Sequence, residues 1–154
     1  MNYLVVGGSS GIGKEVVEQL LANGHVVYTA QRSNVSGTIY LPFDAQNQEF
    51  PAAMLPEILD GVVYCPGTIL LKPFHRLTKE DFIKDYMVNF LGAVSVLQAC
   101  FPSLKKSAQP SVVLFSSVAA QMGMGFHSSI ASAKAALEGL TKSLAVFASM
   151  LSPS

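Results

Sequence analysis

The sequence predicts an α/β domain: a parallel sheet with helices covering both faces. Three observations carry this expectation. Short β-rich apolar runs alternate with helical apolar patterns along the whole chain, the signature of β-α-β units. Residues 3–6 are a short apolar run ending in glycines, as a strand buried on both faces is. Finally, the first strand runs directly into a glycine-rich turn, Gly7-Gly8-Ser9-Ser10-Gly11-Ile12-Gly13, and a helix starts at once.

The elements follow in order. Residues 3–6 form a strand, and Ile12, Val16, Val17, Leu20 and Leu21 mark one helical face that Asn23-Gly24 stops. Residues 25–30 read as a second strand ending at Gln31-Arg32, and residues 38–43 as a third. Residues 47–59 read as a weak helix interrupted by Pro51 and Pro56, and residues 61–65 as a fourth strand stopped by Pro66-Gly67. Thr78-Lys79-Glu80-Asp81 resembles a capping box, and Phe82, Ile83, Tyr86, Met87 and Phe90 then share a face. The pattern resumes at Ala93, Val96, Leu97, Cys100 and Phe101, with Pro102 expected to kink it. Residues 111–117 read as a fifth strand. Residues 130–150 read as a long helix rich in Ala, Ser and Gly, with Glu138 and Lys142 as an i,i+4 pair.

Composition excludes several classes. The chain has 154 residues, enough for one domain. Half of them are hydrophobic and 13% are charged, which excludes intrinsic disorder. Ten Lys+Arg balance ten Asp+Glu and no basic run occurs, so nucleic acid is not an expected partner. The 19 uncharged residues between Asp85 and Lys105 approach the length of a membrane span. They include Asn89, Ser95, Gln98 and Pro102, so a helix buried within protein explains them better and no membrane partner is expected. The N-terminus lacks the basic start of a signal peptide. Cys65 and Cys100 form no ligand spacing and read as buried, reduced thiols of a cytoplasmic protein. No spacing of Cys, His and carboxylates suggests a metal. The Met122–Met124 stretch reads as packing or pocket lining. The mean hydropathy of +0.40 is high, as if apolar surface were covered by a partner or by further chain.

The glycine-rich turn is where chemistry enters. Glycines let backbone turn sharply and approach a ligand, while a helix N-terminus offers free N–H groups and partial positive charge. Strand, turn and helix in that order read as a phosphate site of a dinucleotide.

The spacing Gly7, Gly11, Gly13 resembles that of the short-chain dehydrogenase/reductase family, and later segments agree. Asp44, with Ala45, falls where that family contacts the adenine. Tyr64-Cys65-Pro66-Gly67 falls where it has Asn-Asn-Ala-Gly, keeping only the glycine. Asn89, in Val88-Asn89-Phe90-Leu91-Gly92, matches the catalytic asparagine. Ser116-Ser117 matches the family's serine pair, with Ser117 in the catalytic place, and Lys134 matches the lysine of the Tyr-x-x-x-Lys segment. Nearly the whole chain is covered. The resemblance implies a Rossmann-like doubly wound sheet of order 3-2-1-4-5. It implies a single nucleotide-binding domain over residues 1–154, incomplete at its C-terminus, because the family continues into a sixth strand, a helical lid and a seventh strand. It also implies a homodimer or homotetramer, paired through helices near residues 93–106 and 130–150.

The implied reaction moves a hydride between nicotinamide and a small-molecule carbonyl or alcohol. The tyrosine passes the proton, the lysine supplies the charge its phenol needs and binds the ribose, the serine orients the carbonyl, and the asparagine holds a relay water. The implied cofactor contacts are Gly7, Ser9, Ser10, Gly11, Ile12, Gly13, Arg32, Ser33, Asp44, Ala45, Cys65, Pro66, Gly67, Asn89 and Lys134. Where NAD-binding members carry an acidic residue this chain has Gln31 followed by Arg32. Arg32 suits the 2′-phosphate of NADP(H), with NAD(H) possible; it also reads as a solvated loop cation.

One departure stands out: Ile130 occupies the tyrosine's place, four residues before Lys134 and thirteen after Ser117. An isoleucine donates no proton. His127 is a candidate substitute or a loop histidine; Ser128, Ser129 and Ser132 are poorer acids; Tyr64 and Tyr86 read as packing; His25 and His75 read as surface residues. Three function classes stay open: an NADP(H)-dependent oxidoreductase, a dinucleotide-binding sensor or structural subunit without turnover, and a truncated product without function.

Overall fold

The computed structural model describes residues 1–46 and 49–151, the last five of these by backbone only. Two compact units compose it: Met1–Pro66 with Leu91–Val113, and Gly67–Phe90 with Leu114–Ser154.

The first unit carries the sheet. Its strands are β1 (Asn2–Val6), β2 (Val26–Gln31), β3 (Ile39–Pro42), β4 (Gly61–Tyr64) and β5 (Ser111–Leu114), in the order β3-β2-β1-β4-β5. The expected order 3-2-1-4-5 is therefore present. The β1–β2, β1–β4 and β2–β3 pairs are parallel, with Val5 opposite Thr29 on one side and Val63 on the other. Side chains alternate across a strand, and both sets are covered. Val5 and Val27 pack with Val17 of α1 (Gly11–Ala22), joined by Val16, Leu20, Leu21 and Val63. The alternate residues Leu4, Val6, Val62 and Tyr64 are buried too, and α3 (Gly92–Leu104) packs on β4 with Ala93, Val96 and Cys100 inaccessible. Burial pushes the Tyr64 phenol above its ordinary range, so it packs, as expected. Asn23 caps α1 and Gly24 follows at φ 76°.

The second unit is helical. α2 (Lys79–Tyr86) begins at the expected capping box: Thr78 accepts from the Asp81 N–H, and Asp81 accepts from the Thr78 N–H. α4 (Val118–Met122) and α5 (Ser128–Leu151) follow, and α5 packs on both α2 and α4. Ile130, Ala133, Lys134 and Leu137 form its buried face.

Several expectations need correction. The weak helix at 47–59 is a single 3₁₀ turn, Ala52–Met54, between two prolines that remove donors; Asn47 and Gln48 lie outside the described residues. Pro102 lies inside α3, which runs on to Leu104 although its ring nitrogen offers no N–H to the ladder. The departure from α geometry is a π turn at Met87–Leu91. The fifth strand stops at Leu114, because Ser117 is already the N-cap of a helix. Glu138 accepts from Ser116 and Gln121, and Lys142 only adds a longer-range attraction. Met122 and Met124 are exposed, so the packing half of that expectation fails, and His25 is half-buried with its ring edge-on to Tyr3. The expected end of the domain at Ser154 lies outside the described residues. One described stretch, Lys79–Leu104, is long and apolar enough to cross a membrane by length and composition. Its α3 half supplies core residues, as helices inside proteins do.

Candidate functional site

In the first unit the glycine turn is shaped by close approach. A Cβ on Gly13 would lie 2.2 Å from the Gly7 carbonyl oxygen and 3.2 Å from Cys65 Sγ, so only glycine lets α1 start this near β1 and β4. Gly7 sits at φ 79° with Pro66 beside it, whereas Gly11 has open space around it. The cradle is therefore packed beneath and open at its lip.

Ser9, Ser10, Gly11 and Ile12 are exposed there. Ser10 is the N-cap of α1 in extended conformation, yet its hydroxyl does not cap the helix. The first-turn N–H groups thus lack a side-chain acceptor, which is the state that suits an incoming anion. Beside Gly8, Gln31 donates from Nε2 to the Ser33 carbonyl at 2.8 Å, while its buried Oε1 has no partner. Arg32 and Ser33 are exposed, and Arg32 makes no ion pair or hydrogen bond among the described residues. Asp44 Oδ1 accepts from the Gln46 N–H at 3.0 Å, closing a local turn, with Ala45 half-buried inside it. An open cradle, unfilled donors, an orphaned acceptor and a free guanidinium fit a phosphorylated dinucleotide. Among the described residues no cluster of His, Cys, Asp and Glu fits a metal.

In the second unit Asn89, Ser117, Ile130 and Lys134 each have a defined place. Asn89 is fully buried in the π turn. Its Nδ2 donates to the Asp85 carbonyl at 2.9 Å and to Thr68 Oγ1 at 2.8 Å, and its Oδ1 accepts from the Thr68 N–H at 3.4 Å. Lys134 projects from α5, and its Nζ donates to the Phe115 carbonyl at 2.8 Å. Asn89 Oδ1 and Lys134 Nζ converge on Gly67, lying 3.3 and 3.9 Å from the point where a Cβ would stand. Any side chain there would fill the space between the amide and the ammonium. Ser117 caps α4 by accepting from the Ala119 N–H at 3.2 Å, which leaves its proton available to a carbonyl. Ser116 instead gives its proton to Glu138 and holds that carboxyl below the usual range. The two serines are thereby told apart by what they already hold.

Ile130 is 4% exposed, one helical turn before Lys134. His127 Nδ1 lies 2.6 Å from the Gly125 carbonyl, so that nitrogen carries the proton, and Phe126 before it adopts φ 66°. Tyr86 reaches the Ser132 carbonyl at 3.4 Å and stacks on Phe90. Ser129 and Ser132 bond to main-chain carbonyls, of Asp81 and Ser129 respectively. Thr68 and Asp85 are missing from the sequence expectation. The Thr68 hydroxyl donates to Asp85 Oδ1 at 2.6 Å, and nothing in the spacing of residues seventeen apart announces this.

The short chain dehydrogenase family model matches residues 2–149. The chain belongs to the short-chain dehydrogenase family. This family binds nicotinamide dinucleotides in general and its members act on small molecules. A tropinone reductase homolog of Arabidopsis thaliana is 30% identical over 94% of this chain and 63% of its own length. The 17-beta-hydroxysteroid dehydrogenase type 1 of Homo sapiens is 30% identical over 93% of this chain and 51% of its own length. Among solved structures, the TT0495 protein of Thermus thermophilus superposes with a TM-score of 0.86 at 27% identity, covering 97% of this chain and 71% of that one. The short-chain dehydrogenase fold is thus shared, while the chain spans between about half and just under two-thirds of the length of these curated relatives.

Proposed function

We propose that this chain is the NADP(H)-binding part of a short-chain dehydrogenase, acting on a small-molecule carbonyl or alcohol, with its proton-donor position occupied by Ile130. The observation that carries this reading is the convergence of Asn89 Oδ1 and Lys134 Nζ on the gap at Gly67. A bound nicotinamide dinucleotide supplies or accepts the hydride. The N–H groups of Gly11, Ile12 and Gly13 would hold the phosphates, with the Ser9 and Ser10 hydroxyls beside them. Arg32 takes the 2′-phosphate with its forked donors, Ser33 stands next to it, and Asp44 with Ala45 flanks the adenine. Cys65, Pro66 and Gly67 are further proposed cofactor contacts. Lys134 would hold the nicotinamide ribose, and the Ser117 hydroxyl would donate to the substrate's carbonyl oxygen. Residues 1–154 form one nucleotide-binding domain in this reading, in a cytoplasmic protein that self-associates.

Ile130 favours a second reading, a dinucleotide-binding subunit without turnover, since its methyl groups offer no proton and it is buried rather than replaceable by solvent. Both readings require NADP(H) to bind. Fluorescence titration tests this. A charge-assisted hydrogen bond contributes roughly 1.5–3 kcal/mol, so NADPH should bind about 10- to 150-fold tighter than NADH. Arg32→Ala should remove most of that difference and leave NADH binding unchanged. Equal affinities in the unmutated chain overturn the NADP(H) assignment.

A further inference from the structure

The buried Asp85 carboxylate has no place in the family reading above, yet it is 3% exposed, with Oδ1 bonded to Thr68 and Oδ2 without a partner. A carboxyl buried with one oxygen unsatisfied is unfavourable by itself. Its neighbours say what it does. The Thr68 hydroxyl donates its single proton to Asp85 Oδ1. Thr68 Oγ1 then faces Asn89 with a lone pair, and Asn89 must present Nδ2 to it. The Asp85 main-chain carbonyl takes the other Nδ2 proton, and the Thr68 N–H meets Oδ1. Reversing the Asn89 amide would set its oxygen against the Asp85 carbonyl oxygen and its NH2 against the Thr68 N–H. Two of these bonds, to the Asp85 carbonyl and from the Thr68 N–H, have their direction set by the main chain; the Asp85 carboxyl sets the third, by taking the Thr68 hydroxyl proton.

We infer that Asp85 is a positioning residue, which acts through the Thr68 hydroxyl to fix the Asn89 amide with Oδ1 turned toward Gly67 and Lys134 Nζ. It touches neither substrate nor cofactor. The inference rests on reading Asn89 as the relay residue of the proposed site, but its geometry lies within the second unit alone. Asp85 lies four residues before Asn89, which is fully buried within the π turn, where its amide needs protein partners rather than water.

The experiment is hydrogen exchange of the Asn89 side-chain amide, followed by ¹H–¹⁵N NMR on the full chain and identified by its absence in Asn89→Asp. Backbone amides of α2 serve as the reference for general loosening. Asp85→Leu and Thr68→Val should each speed exchange of the Asn89 amide about tenfold, the scale of one hydrogen bond, with α2 backbone protection unchanged. Thr68→Ser should keep the protection of the unmutated chain. In the Thr68→Val background, Asp85→Leu should add nothing. The proposal is overturned if Asp85→Leu leaves the Asn89 amide unchanged, if its effect is as large without the Thr68 hydroxyl as with it, or if α2 loses protection to the same degree. NADPH titration of the same samples separates the two levels: absent binding removes the cofactor reading and leaves the Asn89 measurement standing.

Discussion

Lys134 Nζ donates to the main-chain carbonyl of Phe115 at 2.8 Å, so the ammonium that the site requires is already aimed and held by α5 and the segment after β5. The contact sets the direction of a long, flexible side chain whose stem is buried.

Lys134→Met keeps the apolar stem and removes the donor. The Phe115 carbonyl then loses its partner, which should lower stability by about 1–3 kcal/mol in urea unfolding. NADPH affinity should fall about tenfold or more by fluorescence titration, because the ribose loses its cation. A drop in stability with unchanged NADPH affinity would confine Lys134 to a structural role.

Gly13→Ala should be the most damaging glycine substitution in the cradle. Its Cβ would meet the Gly7 carbonyl carbon and oxygen, backbone atoms that cannot move aside cheaply. Overpacking of this kind costs about 1–3 kcal/mol, and cofactor binding should be lost with it. Gly125→Ala, which meets nothing within 4 Å, is the control and should leave the urea midpoint unchanged.

The two thiols should separate under alkylation. Cys100 is inaccessible, and burial pushes its thiol up to about 12, while Cys65 is half-buried beside the cradle. Only the thiolate reacts, so iodoacetamide at pH 8 should modify Cys65 first and Cys100 only on unfolding. The raised value also has a stability sign. The folded chain holds the Cys100 proton more tightly than the unfolded chain, whose thiol titrates near 9.0. Its contribution is therefore complete below pH 9 and is lost as pH rises toward 12. Cys100→Ala should flatten that alkaline loss in unfolding titrations; equal alkylation rates for the two native thiols contradict the placement.

The legible parts of this molecule are those fixed by neighbours in sequence. The strand, glycine turn and α1 carry an apolar period of 3.6 ending in Asn23-Gly24, and the structure places α1 at Gly11–Ala22. The Thr78 capping box is local as well. What escaped was set by tertiary context. Five-residue α4 is too short to show a period, and residues 47–59 carry helical apolar spacing that Pro51 and Pro56 override. The π turn has no sequence signature, and it carries Asn89 of the Thr68–Asp85–Asn89 network. Asn89, Ser117 and Lys134 stood out through motif spacing, whereas Asp85, four residues from Asn89, looked like one more charge on a helix face.

The most direct test of the central claim is NADPH oxidation with a panel of small ketones and aldehydes, comparing the Ile130 protein with Ile130→Tyr. A positioned general acid contributes on the order of 10²–10⁴-fold in rate. NADPH should bind but turn over negligibly with Ile130, Ile130→Tyr should gain a factor of that order, and adding Lys134→Ala should remove the gain. Brisk turnover by the Ile130 protein, abolished by His127→Ala, would contradict the central claim and make His127 the acid.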